Sequence, residues 1–153
     1  MFDLIASFIL RFRPTRIAMT LVGLATIFYV LNIDKKVFAA FPLGGVVSMS
    51  GFTAMIIAWR QFKTRDIAIC PISETKEIIT IGIYRYSRNP MYLGIVCMML
   101  GIALMMGTIS YYVVAAVFFL IIQFIFSPFE EAKLAKNFGE NYRLYATTTR
   151  RWL

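Results

Sequence analysis

Four long apolar runs, at about 17–33, 41–59, 90–107 and 110–126, divide the chain, and the charged residues fall almost wholly between them. Each run holds roughly 17–19 residues, near the lower limit for a helix that crosses a hydrocarbon core of about 30 Å. The pattern predicts an all-α integral membrane protein with four transmembrane helices. The first run is interrupted only by mild polar residues, Thr20, Thr26 and Asn32. The second carries Gly44, Gly45, Ser48, Ser50, Gly51 and Thr53, small residues that let membrane helices approach closely. Ahead of them Phe2, Ile5, Phe8, Ile9 and Phe12 recur at helical spacing beside Arg11, Arg13 and Arg16, the pattern of a short interfacial helix. It is not a secretory signal: Asp3 is acidic, the bases follow the apolar stretch, and no small-residue cleavage site appears. No ionisable residue falls within a span, which argues against a transporter.

Composition sharpens this picture. The chain has 153 residues, 59% hydrophobic and 16% charged, too apolar for a soluble domain and of a length for one domain, 1–153. Its formal net charge is +8. Fourteen of the sixteen bases fall in the N-terminal arm, the loop 60–89 and the tail 127–153, leaving Lys35 and Lys36 in the first hairpin loop. Bases arranged in this way mark a membrane surface rather than a nucleic-acid footprint. The positive-inside rule puts both termini and the middle loop in the cytoplasm, an orientation expected of a bacterial-type inner membrane protein. Within that loop Cys70-Pro71 marks a turn, and the β-branched stretch 78–83 reads as interfacial. Histidine is absent, which removes the commonest base and metal ligand. Cys70 and Cys97 lack metal-ligand spacing, so neither metal nor redox chemistry is expected.

The short link near Thr108 and Ile109 makes spans three and four an antiparallel hairpin. The start of one and the end of the other therefore share the cytoplasmic rim, with helix axes about 8–10 Å apart. That geometry brings Tyr84-Arg85-Tyr86-Ser87-Arg88-Asn89-Pro90-Met91-Tyr92-Leu93-Gly94 beside Ser127-Pro128-Phe129-Glu130-Glu131. Asn89 suits a helix N-cap and Pro90 the first helical position, and N–H groups there can receive a carboxylate or phosphate. Arg85 and Arg88 add full charges, and Tyr84, Tyr86 and Tyr92 offer rings for stacking. Gly94 allows close backbone approach, and Glu130 and Glu131 offer acceptors for hydroxyls or an ammonium. Cationic, aromatic and anionic parts together suit a zwitterionic, nucleoside-like ligand. Taken singly, the arginines also read as positive-inside residues and the tyrosines as an aromatic belt. Ser127-Pro128-Phe129-Glu130 also reads as a capping box, with Glu130 able to pair with Lys133, and Gly139 as a C-cap.

The blocks 82–94 and 130–152 resemble the integral-membrane methyltransferases, which include the isoprenylcysteine carboxyl methyltransferases and the phospholipid N-methyltransferases. The shared pattern is Tyr-x-Tyr-x-Arg-x-Pro-x-Tyr-x-Gly, then Glu-Glu, Phe-Gly, two tyrosines and Arg-Trp, within the half of the chain from Trp59 on. The resemblance implies S-adenosylmethionine as cofactor, S-adenosylhomocysteine as product, and a membrane lipid or lipidated small molecule as acceptor. It implies that Arg88, Asn89, Pro90, Tyr92, Leu93 and Gly94 line the cofactor, with Glu130 and Glu131 opposite. Tyr142, Tyr145 and Arg150 to Trp152 would close the site. Tyr84 and Tyr86 join the cofactor-binding set, and Arg88, Glu130 and Glu131 are the candidate catalytic residues. An ammonium acceptor would need a base, for which Glu130, Glu131 or a tyrosine are at hand. Isoprenylcysteine-type members usually carry His where this chain has Asn89, and the early Gly-x-Gly of phospholipid-type members is missing, so the acceptor stays open between the two. Other readings are a non-catalytic membrane subunit and, more distantly, a sterol-type NADPH reductase.

Overall fold

The computed structural model describes residues 13–64 and 77–153. The expected interfacial helix, the Cys70-Pro71 turn, Arg65 and Lys76 lie outside the described residues. Helix α1 (Pro14–Val30) opens with proline at its first position, where a missing N–H costs nothing. The chain leaves it through Asn32, left-handed at φ 56°, a conformation asparagine tolerates better than most residues. The following loop lies back over the far end of the third and fourth helices. Val37 N–H donates to the Gly107 carbonyl at 2.8 Å, Ala40 N–H to Leu104 at 2.9 Å, and Ile109 N–H to Lys35 at 3.0 Å.

Helix α2 (Phe41–Lys63) is followed, across the loop, by a 3-10 turn (Gly82–Arg85) and helix α3 (Pro90–Met106). Gly107, at φ 65°, ends α3, and Thr108 leads straight into α4 (Ile109–Ile121), the tight hairpin anticipated from the sequence. Helices α2 and α3 meet backbone to backbone. Gly44 faces Gly101 and Gly51 faces Gly94, and a Cβ on any of the four would lie 2.5–2.6 Å from a main-chain atom of the opposite helix. The pairs stand two helical turns apart on each helix, so they form one continuous seam. The other side of α3 packs on α1 and α4 through Ala18, Tyr92, Ile95, Met99, Ala115, Phe118, Ile122 and Phe126.

Two corrections concern helix limits. The first apolar run was expected to be helical over 17–33, and its helix occupies Pro14–Val30. The fourth was expected to stop at 126 and a capped helix to start at Ser127. Instead α4 continues through a single π turn (Ile122–Phe126), where Ser127 N–H reaches back to the Ile122 carbonyl, into α5 (Ser127–Phe138). The widened turn lies just before Pro128, whose ring and missing N–H disturb an ordinary α-helix at that place. The apolar stretch still ends near Phe126, and α5 beyond it carries Glu130, Glu131, Lys133 and Lys136. Gly139, at φ 53°, closes α5 as expected, and α6 (Glu140–Thr148) follows.

Among the described residues the protein is helical, with no strand beyond one isolated bridge between Lys36 and Thr108. Helix α2 and the continuous helix Ile109–Phe138 are long and apolar enough to cross a membrane, while α1 and α3 are apolar and shorter, at 17 residues each. Their outward side chains, such as Val46, Val113 and Phe124, are exposed and apolar, which fits a membrane location.

Candidate functional site

The hairpin sets the first turn of α3 against the first turn of α5. Tyr92 Oη donates to Glu130 Oε1 at 2.7 Å, and its ring tilts against Phe126 at 6.2 Å. One turn before, Arg88 Nη1 lies 3.5 Å from Glu131 Oε1 and donates to Tyr142 Oη at 3.2 Å. Glu131 also receives a two-pronged contact from Arg151, Nε to Oε1 at 2.8 Å and Nη2 to Oε2 at 2.7 Å. The π turn matters here: its extra residue shifts the register downstream, and so sets which face of α5 presents the two acids.

The C-terminal tail straps this cluster with its main chain. The Arg150 carbonyl accepts from Arg88 N–H at 3.0 Å. The Arg151 carbonyl accepts from Ser87 Oγ at 3.2 Å and Asn89 Nδ2 at 3.4 Å. Tyr145 Oη donates to the Tyr84 carbonyl at 2.6 Å. Trp152 anchors the strap's end, its Nε1–H reaching Gln123 Oε1 on the π turn at 2.7 Å and its ring lying 5.3 Å from Phe119. Asn89 was expected to cap α3 with its side chain. It stands at the N-cap position but makes no such bond, because its amide holds the tail instead.

Burial divides the ionisable groups. It raises the Glu130 carboxyl to about 7, against the hydrogen bond from Tyr92 and the charge of Lys133. Burial raises the Tyr145 hydroxyl to about 12 and the Tyr84 hydroxyl higher still. Tyr142 is also raised, by burial and then by the charge of Glu131. These tyrosines therefore stay protonated at neutral pH, and Glu131 is held between two guanidinium groups. Unlike these tyrosines, Glu130 changes charge near neutrality.

Not every residue anticipated for the site reaches it. Arg88, Asn89, Tyr92, Glu130, Glu131 and Tyr142 converge. Tyr84 is buried against Phe62, ring to ring at 5.5 Å, and Tyr145 supports it from behind. Tyr86 is 70% exposed. Pro90 and Leu93 form the first turn of α3, where Leu93 N–H bonds the Asn89 carbonyl at 3.0 Å. The room cleared by Gly94 is taken by Gly51 of α2, so it serves helix packing. Arg150 turns its exposed side chain to the Leu153 carbonyl at 3.5 Å, and Arg151 supplies the guanidinium. Ser87 and Gln123 were not anticipated. Gln123 had a signal, as the lone amide in the last apolar run, but its partner lies 29 residues on.

The cluster fits a zwitterionic ligand on one direct observation: Arg88 Nε is buried with no hydrogen-bond partner among the described residues. A buried, unpaired guanidinium N–H suits a carboxylate, with a strong charge-assisted bond to gain.

A family model described as phospholipid methyltransferase matches residues 39–141. The match reaches further toward the N-terminus than the motifs legible by eye and stops just before Tyr142. No curated protein and no solved structure matches the chain.

Proposed function

The chain belongs to the phospholipid methyltransferase family, and from that premise we propose that it transfers a methyl group from S-adenosylmethionine to a lipid-soluble acceptor at the cytoplasmic face of its membrane. In this reading α1 and α3 also cross the bilayer, giving four spans with both termini on the basic side. The acceptor is a phospholipid amine or an isoprenylcysteine-like carboxylate, and the family match favours the first. The single observation that carries the reading is the convergence of Arg88, Tyr92, Glu130, Glu131 and Tyr142 at one end of the hairpin, under the tail, in a chain of this family.

When bound, S-adenosylmethionine supplies a methyl group on a positively charged sulfur. Arg88 would hold its carboxylate through Nε–H, while Glu130 and the tail would face the remainder. Glu131 keeps Arg88 and Arg151 in place, acting as a positioning residue. Glu130 is the group able to take a proton from an ammonium acceptor, since it is the acid that titrates near neutrality. Orienting the acceptor is the remaining task, and such positioning is worth roughly 7–11 kcal/mol at best.

Calorimetry on the detergent-purified protein should show S-adenosylmethionine binding, and the same cofactor, not NADPH, should raise the melting temperature. Absence of both effects would remove the reading. Incubation with isotopically labelled methyl donor, followed by mass spectrometry of the host lipids, should place the label on a lipid. Binding without any labelled lipid would indicate a non-catalytic subunit.

A pH dependence follows from Glu130. Its carboxyl holds a proton up to about pH 7, so transfer to an amine acceptor should rise through an apparent pKa near 7. Glu130→Gln should be slower and flat across that range. For stability the sign is opposite. An acid whose folded pKa is raised stabilises the fold fully below its unfolded value, and loses that contribution as pH rises through 7. Melting temperature should therefore fall between pH 5 and 8 in the wild type and stay level in Glu130→Gln.

A further inference from the structure

At the rim opposite the Arg88–Glu131 cluster, residues of α1 and α4 line a groove of about 320 Å³. Leu24, Ala25 and Phe28 form one wall and Ile109, Val113 and Val114 the other, with Ser110 the one polar residue of the lining. Leu24, Phe28, Ile109 and Val113 are roughly half exposed, so the groove opens outward rather than into the core. Its floor is firm: behind it Thr26 Oγ1 and Tyr111 Oη share a hydrogen bond at 2.9 Å, and Ala25 packs with Ala103 and Tyr111.

The mouth of the groove is basic. The Lys35 carbonyl accepts from the N–H of the groove residue Ile109 at 3.0 Å, and Lys36 bridges to Thr108 next to it, so the main chain of both lysines lies against the start of α4 beside the groove. No ion pair among the described residues involves either one, and both are exposed. The neighbouring acid, Asp34, sets one negative charge against the two lysines: its Oδ1 accepts from Ser110 N–H at 3.2 Å at the start of α4, and its Oδ2 is buried with no hydrogen-bond partner among the described residues. Lys35 and Lys36 are also the only two bases that depart from the distribution of the other fourteen.

We propose that the groove and these two lysines form a binding site for one anionic phospholipid, with an acyl chain between α1 and α4 and the phosphate at Lys35 and Lys36. A chain in bilayer surroundings gains little by exchanging lipid neighbours for leucine and valine, so the groove fixes position and the headgroup decides selection. This site is distinct from the cluster proposed for methyl transfer: it rests on the placement of α1 in the bilayer given in that reading, but not on methyl transfer itself.

The test uses the full chain in phosphatidylcholine vesicles, with Phe28→Trp as a reporter inside the groove and the unaltered protein as background for Trp59 and Trp152. Quenching by acyl-brominated phosphatidylglycerol and by acyl-brominated phosphatidylcholine gives their relative affinities at that position. Each lysine near an anionic headgroup contributes about fivefold, so phosphatidylglycerol should be preferred by about 25-fold. Lys35→Gln together with Lys36→Gln should reduce the preference to near one, with the melting temperature unchanged. Equal quenching by the two lipids in the reporter protein would overturn the proposal. So would a preference that survives loss of both lysines, since general surface charge would then explain it.

Discussion

Glu131→Ala should lower S-adenosylmethionine affinity and methyl transfer by roughly 12- to 150-fold. The carboxylate binds Arg151 through two bonds at 2.7 and 2.8 Å and neutralises Arg88 at 3.5 Å, and all three side chains are less than one-third exposed. Its removal leaves two guanidinium groups facing each other without their shared counter-ion. A charge-assisted bond at such a site is worth about 1.5–3 kcal/mol, and a factor of ten corresponds to about 1.4 kcal/mol. The loss reaches the ligand indirectly: Arg88 loses its orientation, and the strap formed by Arg150 and Arg151 loosens from Ser87 and Asn89. Trp152 fluorescence reports the loosening separately from activity, because its indole is fixed to Gln123 and Phe119 only while the tail is docked. Arg151→Lys should fall between, since an ammonium cannot make the paired contact. The double variant Glu131→Ala, Arg151→Ala should cost less than the two single losses combined. An affinity for Glu131→Ala within threefold of the wild type would refute the positioning role.

Much of this site could be read from the sequence because a short link between two apolar runs leaves little freedom. Once the turn near Thr108 is fixed, Tyr92 and Glu130 must share a rim, and they do, at 2.7 Å. The helical class follows from composition and run length alone. What escaped was set by backbone detail. A Pro at 128 after a Ser reads as a helix start, whereas the π turn lets one helix run on from Ile109 to Phe138. Arg150 and Arg151 are adjacent and chemically alike, and only the extended path of the tail decides which one turns inward. Gly94 shows the same limit from the other side. The sequence marks it as a place of close approach, but the partner proved to be the Gly51 carbonyl rather than a ligand.

That seam yields the second large effect. Gly51→Ala and Gly101→Ala should each lower the melting temperature by about 5 °C or more, and the pair should cost less than the two single losses summed. A methyl group at Gly51 would lie 2.6 Å from the Gly94 carbonyl, and one at Gly101 2.5 Å from the Ser48 nitrogen. Both obstacles are main chain, which cannot rotate away as a side chain can. The helices must separate, and overpacking of this kind typically costs about 1–3 kcal/mol or more per site. The two positions lie on one seam about 10 Å apart along the axis, and a separation of the helices forced at one relieves part of the clash at the other, so their costs should not add in full. Gly23→Ala and Gly45→Ala are the controls: nothing lies within 4 Å of a Cβ at either position, and each is in a helix. There the substitution should be neutral or stabilising by up to about 1 kcal/mol, since alanine is the better helix former. Thermal melts followed by far-UV circular dichroism in one detergent would compare all four. Equal melting temperatures would mean that α2 and α3 do not meet at their glycines. A fall confined to Gly51 and Gly101 would tie the stability of the helix that carries Tyr92 to a contact of main chain with main chain.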